Sequence, residues 1–111
     1  MKIIKNISYK LSKKQLDQCK ALDAIDQISF INQAIFEDSG INHQERLSFQ
    51  YELLKISESN KSSFNSAYIL NLISQTNAQM GDLELALDNL LSAEKKWREI
   101  LSRNKKNIFL V

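Results

Sequence analysis

Apolar residues recur at spacings of three and four along most of the chain, the period of amphipathic helices. Helix-start signals punctuate this pattern. Ser12 with Gln15 and Asn42 with Glu45 have the capping-box spacing, and Asp82 directly after Gly81 is a good N-cap. Asn60 or Ser59, in a polar stretch from Ser57 to Ser63 that reads as a loop, would open a further helix. Gly40 and Gly81 mark stops. The signals predict four helices, over residues 13–38, 43–57, 61–80 and 83–103.

Leu22, Ile25, Ile28, Ile31 and Ile35 form one stripe on the first segment, drifting enough to suggest a bend near Asp26. The second carries Leu47, Tyr51 and Leu54 on one side, broadened by Phe49, Leu53 and Ile56. In the third, Phe64, Ala67, Tyr68, Ile69, Leu70, Leu72 and Ile73 surround the axis, which predicts a central helix buried on most sides. The fourth has a core stripe of Ala86, Leu90, Ala93, Trp97 and Ile100 or Leu101. Beside it run Leu83, Leu87 and Leu91, with Glu94 at the boundary. Two readings stay open here: one wide core face with Glu94 snorkelling at its edge, which is the ordinary arrangement, or a patch that meets a partner.

The ends are ambiguous. Residues 1–11 alternate in the manner of a strand, yet Ile3, Ile4, Ile7 and Leu11 also fit one face of a helix. The tail Asn107-Ile108-Phe109-Leu110-Val111 is apolar and β-prone. It has three open uses: a short strand pairing with the N-terminal arm, docking on the helices, or contact with a partner.

A length of 111 residues suits one domain, and 43% apolar with 25% charged residues suits a globular chain. Proline is absent and glycine occurs twice, which argues against a turn-rich β-sandwich or barrel. The expected fold is all-α: a single helical domain over 1–111, arranged as a four-helix antiparallel bundle, with 1–11 an ambiguous arm and 104–111 a tail. The net charge of +2 conceals basic ends, +5 over residues 1–20 and +5 over 95–111, around a middle of −8. Such blocks usually serve solubility, but they can also attract one another or an acidic partner. No apolar run approaches a membrane span, the N-terminus lacks the unbroken apolar stretch of a secretion signal, and Cys19 is a lone cysteine. A cytoplasmic location is the default expectation.

Leu70, Ser74, Gly81-Asp82, Ala86, Leu90 and Ala93 fall in the order of a tetratricopeptide-type helix hairpin, and about residues 67–101 resemble that family. Small side chains let two backbones approach while large ones interlock. Asn77 stands where the family usually has an aromatic and Arg98 where it often has proline, so the last helix should run past the usual stop. One repeat is visible, about a third of the chain. The resemblance implies protein or peptide recognition without catalysis.

The residues themselves offer little chemistry. His43 is the only histidine, which excludes His-rich metal sites, and Cys–His catalysis would require Cys19 to meet it. No glycine-rich loop can cradle phosphate. Asp23 with Asp26, and Glu37 with Asp38, are carboxylate pairs that a solvated helix face explains equally well. No catalytic, cofactor-binding or metal-binding residue emerges, and no cofactor is implied. The expected function is a non-enzymatic interaction module, an adaptor, chaperone-like binder or small regulator, that meets another protein or itself. Its candidate contact residues are Leu87, Leu91, Glu94, Ile108, Phe109 and Leu110. A nucleic-acid-binding regulator is a weaker alternative: Lys95, Lys96, Arg98 and Arg103 point in several directions, while Trp97 aligns with the core stripe. An immunity or antitoxin-type bundle that sequesters a toxin is the third.

Overall fold

The computed structural model describes residues 2–109, with side chains from Ile3 to Arg103. Among these residues the chain is all-helical, with no strand: α1 Lys2–Lys5, α2 Lys13–Lys20, α3 Ala24–Glu37, α4 His43–Ser59, α5 Ser63–Gln79 and α6 Leu83–Phe109. The strand pairing considered for the two ends is thereby corrected. Lys2–Lys5 forms a single helical turn, and the backbone of the tail continues α6 as far as Phe109. Leu110 and Val111 lie outside the described residues. Ile3 and Tyr9 are buried, and Ile4, Ile7 and Leu11 pack against the same core, so the arm is held by apolar contact without a ladder.

The single helix expected over 13–38 is two helices. Asp23 adopts an extended conformation and its carboxylate accepts from the Asp26 N–H at 2.9 Å, starting α3 afresh. The Gln27 amide donates to the carbonyls of Cys19 and Leu22, both at 3.1 Å, and so ties the first turn of α3 to the end of α2, where Cys19 O also accepts from the Leu22 N–H. The expected capping boxes at Ser12/Gln15 and Asn42/Glu45 are both formed. Asp82 accepts from the Leu85 N–H at 3.3 Å. Neither Ser59 nor Asn60 opens α5: the N-cap is Ser62, and the Asn60 amide instead donates to Ile56 O at the end of α4.

Gly81, at φ 83°, closes α5 in a Schellman motif, with Asp82 N–H bonded to Asn77 O and Gly81 N–H to Ala78 O. Lys61 repeats the geometry after α4 at φ 55°, a conformation that costs a side-chain-bearing residue about 1–2 kcal/mol.

Helix α5 is central, packing on α6, α4 and α3. Asn65, Ser66, Ala67, Ile69, Leu70, Leu72 and Ile73 are buried, whereas Phe64 and Tyr68 reach the surface. Phe64 meets Trp97 edge-on at 5.0 Å, and Asn77 meets Asn89 nearer the turn, so α5 and α6 run antiparallel. Ser29 bonds Asn65 and Gln33 bonds Tyr68, which sets α3 parallel to α5. The main apolar core gathers Ile28, Ile31 and Ile35 of α3, Leu53 of α4, Ile69 and Ile73 of α5, and Ile3, Tyr9 and Cys19. The extents are 46 × 37 × 19 Å, a slab one dimension of which is thin. Its radius of gyration of 15.0 Å exceeds the ~13 Å of a compact chain of this length.

Candidate functional site

The turn at Gly81 lays α6 along one side of α5, and α6 has far more apolar surface than that single contact uses. At about 100° per residue, Ala86, Ala93 and Ile100 face α5, flanked by Asn89 and Trp97. Ala93 is fully buried and the other four are half-buried. The small alanines permit close approach of the two backbones. The Asn89 amide donates to Asn77 Oδ1 at 2.9 Å and to the Tyr51 hydroxyl at 3.3 Å, tying α6 to both α5 and α4.

The neighbouring stripe is open. Leu83, Leu87, Leu91 and Leu101 are 70%, 55%, 52% and 60% exposed, and Leu90 is nearly half exposed. The wide core face is therefore not what forms. Leu90 and Leu101, assigned by periodicity to the core stripe, belong to the solvent side, because α5 alone covers only the arc centred on Ala93. Glu94 sits within the open stripe, where Arg98 one turn later bonds its carboxylate at 2.6 Å. Leu91, Glu94, Lys95 and Arg98 line a shallow depression of about 320 Å³.

Of the residues singled out from the sequence, Leu87, Leu91 and Glu94 thus share one exposed side of α6. Ile108 and Phe109 continue the helix backbone, but their side chains, like Leu110 as a whole, lie outside the described residues. Leu83, Leu90 and Leu101 join the same side. Their signal was the line running seven to eleven residues apart beside the alanines, masked by Leu90 and Leu101 fitting the core stripe equally well.

The residues considered for chemistry are scattered and already engaged. Cys19 is sealed in the core, and burial pushes its thiol up. His43 offers Nδ1 to the Arg46 guanidinium at 3.0 Å. Asp23 and Asp26 are N-cap and first-turn residues of α3. Glu37 accepts from Gln33, and Asp38 accepts from the Tyr9 hydroxyl at 2.9 Å. Among the described residues no three His, Cys, Asp or Glu side chains form a group able to hold a metal ion, and no helix is long and apolar enough to cross a membrane.

Two polar features had no sequence signal. Arg46 is buried and donates to Ile35 O and Asp38 O, so its positive charge sits at the negative end of α3. Gln50 is fully buried with neither amide atom bonded to the protein. No protein-family model, curated protein or solved structure matches this chain.

Proposed function

We propose that this chain is a non-enzymatic protein-interaction module that docks through the open side of α6. The observation that carries the reading is the row Leu83, Leu87, Leu90 and Leu91, with Leu101 beyond the Glu94–Arg98 pair, on one side of one helix and exposed. Scattered surface leucines are ordinary, but a continuous apolar row marks an interaction site. The tetratricopeptide-like reading of the second half fits this picture. Helices α3 and α5 run parallel, as in stacked hairpins, and Ser74 and Ala93 provide buried small side chains. In stacked helical hairpins a neighbour covers the outer face of each unit, so the outer face of α6 is where an added layer would sit.

The test replaces Leu83, Leu87 and Leu91 together with Gln. Because all three are exposed, circular dichroism is expected to show unchanged helix content. Wild-type protein is expected to associate, with itself or with a protein captured from its host, and the triple variant to lose that association. A wild-type chain that stays monomeric and captures nothing overturns the proposal.

A further inference from the structure

We propose that the N-terminus of α5 is a binding site for the free hydrogen phosphate ion, formed by Ser62 and Ser63 with Glu58, Lys61 and Lys96 around them. A helix N-terminus carries partial positive charge and leaves its first N–H groups without intrahelical acceptors. In α2, α3, α4 and α6 the side chain of Ser12, Asp23, Asn42 or Asp82 accepts from one of those groups. Helix α5 has no such cap. Ser62 has ψ 84°, where the caps of α2, α3 and α4 have 164°, 174° and 171°, and its side chain makes no capping bond. The N–H groups of Ser63, Phe64 and Asn65 therefore meet no protein acceptor among the described residues.

The Ser62 hydroxyl points to a ligand on separate grounds. The residue is only 8% exposed, and its backbone is engaged within the protein. Its N–H donates to Ser57 O, and its carbonyl accepts from the Ser66 N–H and the Ser57 hydroxyl. The Ser62 hydroxyl has no protein partner, yet it is not sealed from solvent. It opens into a depression of about 180 Å³ that Ser62 lines with Glu58, Lys61, Ser63, Ser66 and Lys96. A buried hydroxyl without a bond is destabilising, and an anion oxygen seated here would satisfy it. Lys61 comes from the turn before α5. Lys96 comes from α6, because the contact of Phe64 with Trp97 at 5.0 Å holds that part of α6 beside the start of α5. Neither lysine is in an ion pair among the described residues.

Size and charge narrow the ligand. Organic ligands occupy pockets of ~300–1,000 Å³, so a depression of about 180 Å³ suits a compact ion. Two ammonium groups, two hydroxyls and three N–H groups are donors for several oxygens at once. Glu58 opposes an anion, and against the two lysines it leaves one net positive charge. Its carboxylate is an acceptor, however, and free phosphate keeps one proton near neutral pH. Phosphate esters are largely ionised there and sulfate wholly so, which leaves neither with a proton to give. Glu58 thus favours hydrogen phosphate over both.

The full chain is titrated near neutral pH and at fixed ionic strength with inorganic phosphate, glycerol phosphate or sulfate, followed by amide NMR. Phosphate is expected to move the Ser63, Phe64 and Asn65 resonances in a saturable way, and the other two anions to bind more weakly. Ser62→Ala, which removes no bond within the protein, and Lys96→Gln should each weaken phosphate binding by about tenfold or more with helix content unchanged. Lys20→Gln, on α2 and outside the depression, should leave it as it was. Glu58→Gln should abolish the preference for phosphate over sulfate. Shifts that never saturate, or that survive both Ser62→Ala and Lys96→Gln, overturn the site. Equal binding of all three anions to the wild type overturns the assignment to hydrogen phosphate.

Discussion

Tyr9 shows how much a single side chain of the N-terminal arm reports on the fold. Its hydroxyl donates to Asp38 at the end of α3, and its ring meets Phe49 edge-on at 5.2 Å. Burial, then the hydrogen bond and negative charge of Asp38, push the phenol up to about 12, against an opposing pull from Arg46. Unfolded, it ionises near the ordinary value of ~10. The folded state therefore holds this proton more tightly, and the resulting stability is complete below pH ~10 and is lost as pH rises toward 12. An ultraviolet tyrosinate titration should show a step near pH 12 that is missing in Tyr9→Phe. The variant should also lose less stability across that alkaline range. Gln50 makes the opposite case. A fully buried amide without a protein partner costs about 1–3 kcal/mol, so Gln50→Met, similar in length and apolar, is expected to raise stability by about that amount in a urea melt. A loss of stability in that variant would show that the amide is satisfied.

Among the helices, what the sequence made legible was whatever depends on local chemistry. The capping boxes of α2 and α4 and the Gly81 stop of α5 involve residues within a few positions of one another, and all formed as read. Periodicity does not show the break between α2 and α3, because Leu16, Cys19, Leu22 and Ile25 keep the three-residue spacing across it, although Asp23 is an N-cap residue placed to start α3. The buried face of α4 was hidden for another reason. Its most buried line is Arg46, Gln50, Leu53 and Ser57, with Leu47, Phe49, Leu54 and Ile56 half-buried against the core beside it, so the innermost positions are mostly polar. Arg46 is inside because α3 ends against it, which only tertiary packing decides. For α5 the central placement holds while the ring of burial is incomplete. Ile73→Ala is expected to cost about 2–5 kcal/mol. Phe64→Ala, at a ring 58% exposed and held by Trp97, should cost only about 1–2 kcal/mol. Equal costs in paired urea melts would remove the distinction between the two ends of the helix.

Across the whole molecule, the thin dimension of 19 Å follows from helices laid side by side with α5 between α4 and α6. That layout explains why the candidate face could be only half read from sequence: periodicity locates an apolar row, but the number of neighbours a helix has decides whether the row is covered. Leu83 and Ala93 look alike to a hydropathy pattern, and one is exposed while the other is sealed. The polar residues of α5 add something the leucines cannot. Asn65 bonds Ser29 and the Ile25 carbonyl of α3, Ser66 bonds Ser57 of α4, and Asn77 bonds Asn89 of α6. Each neighbour is thus keyed to this helix by its own bond. Leucine and isoleucine would tolerate a slide of one residue or a swap of partners, whereas a slip of α5 unmakes the bonds to all three neighbours together. The helix works as a lock with three wards, admitting one alignment of the chain and refusing its near misses.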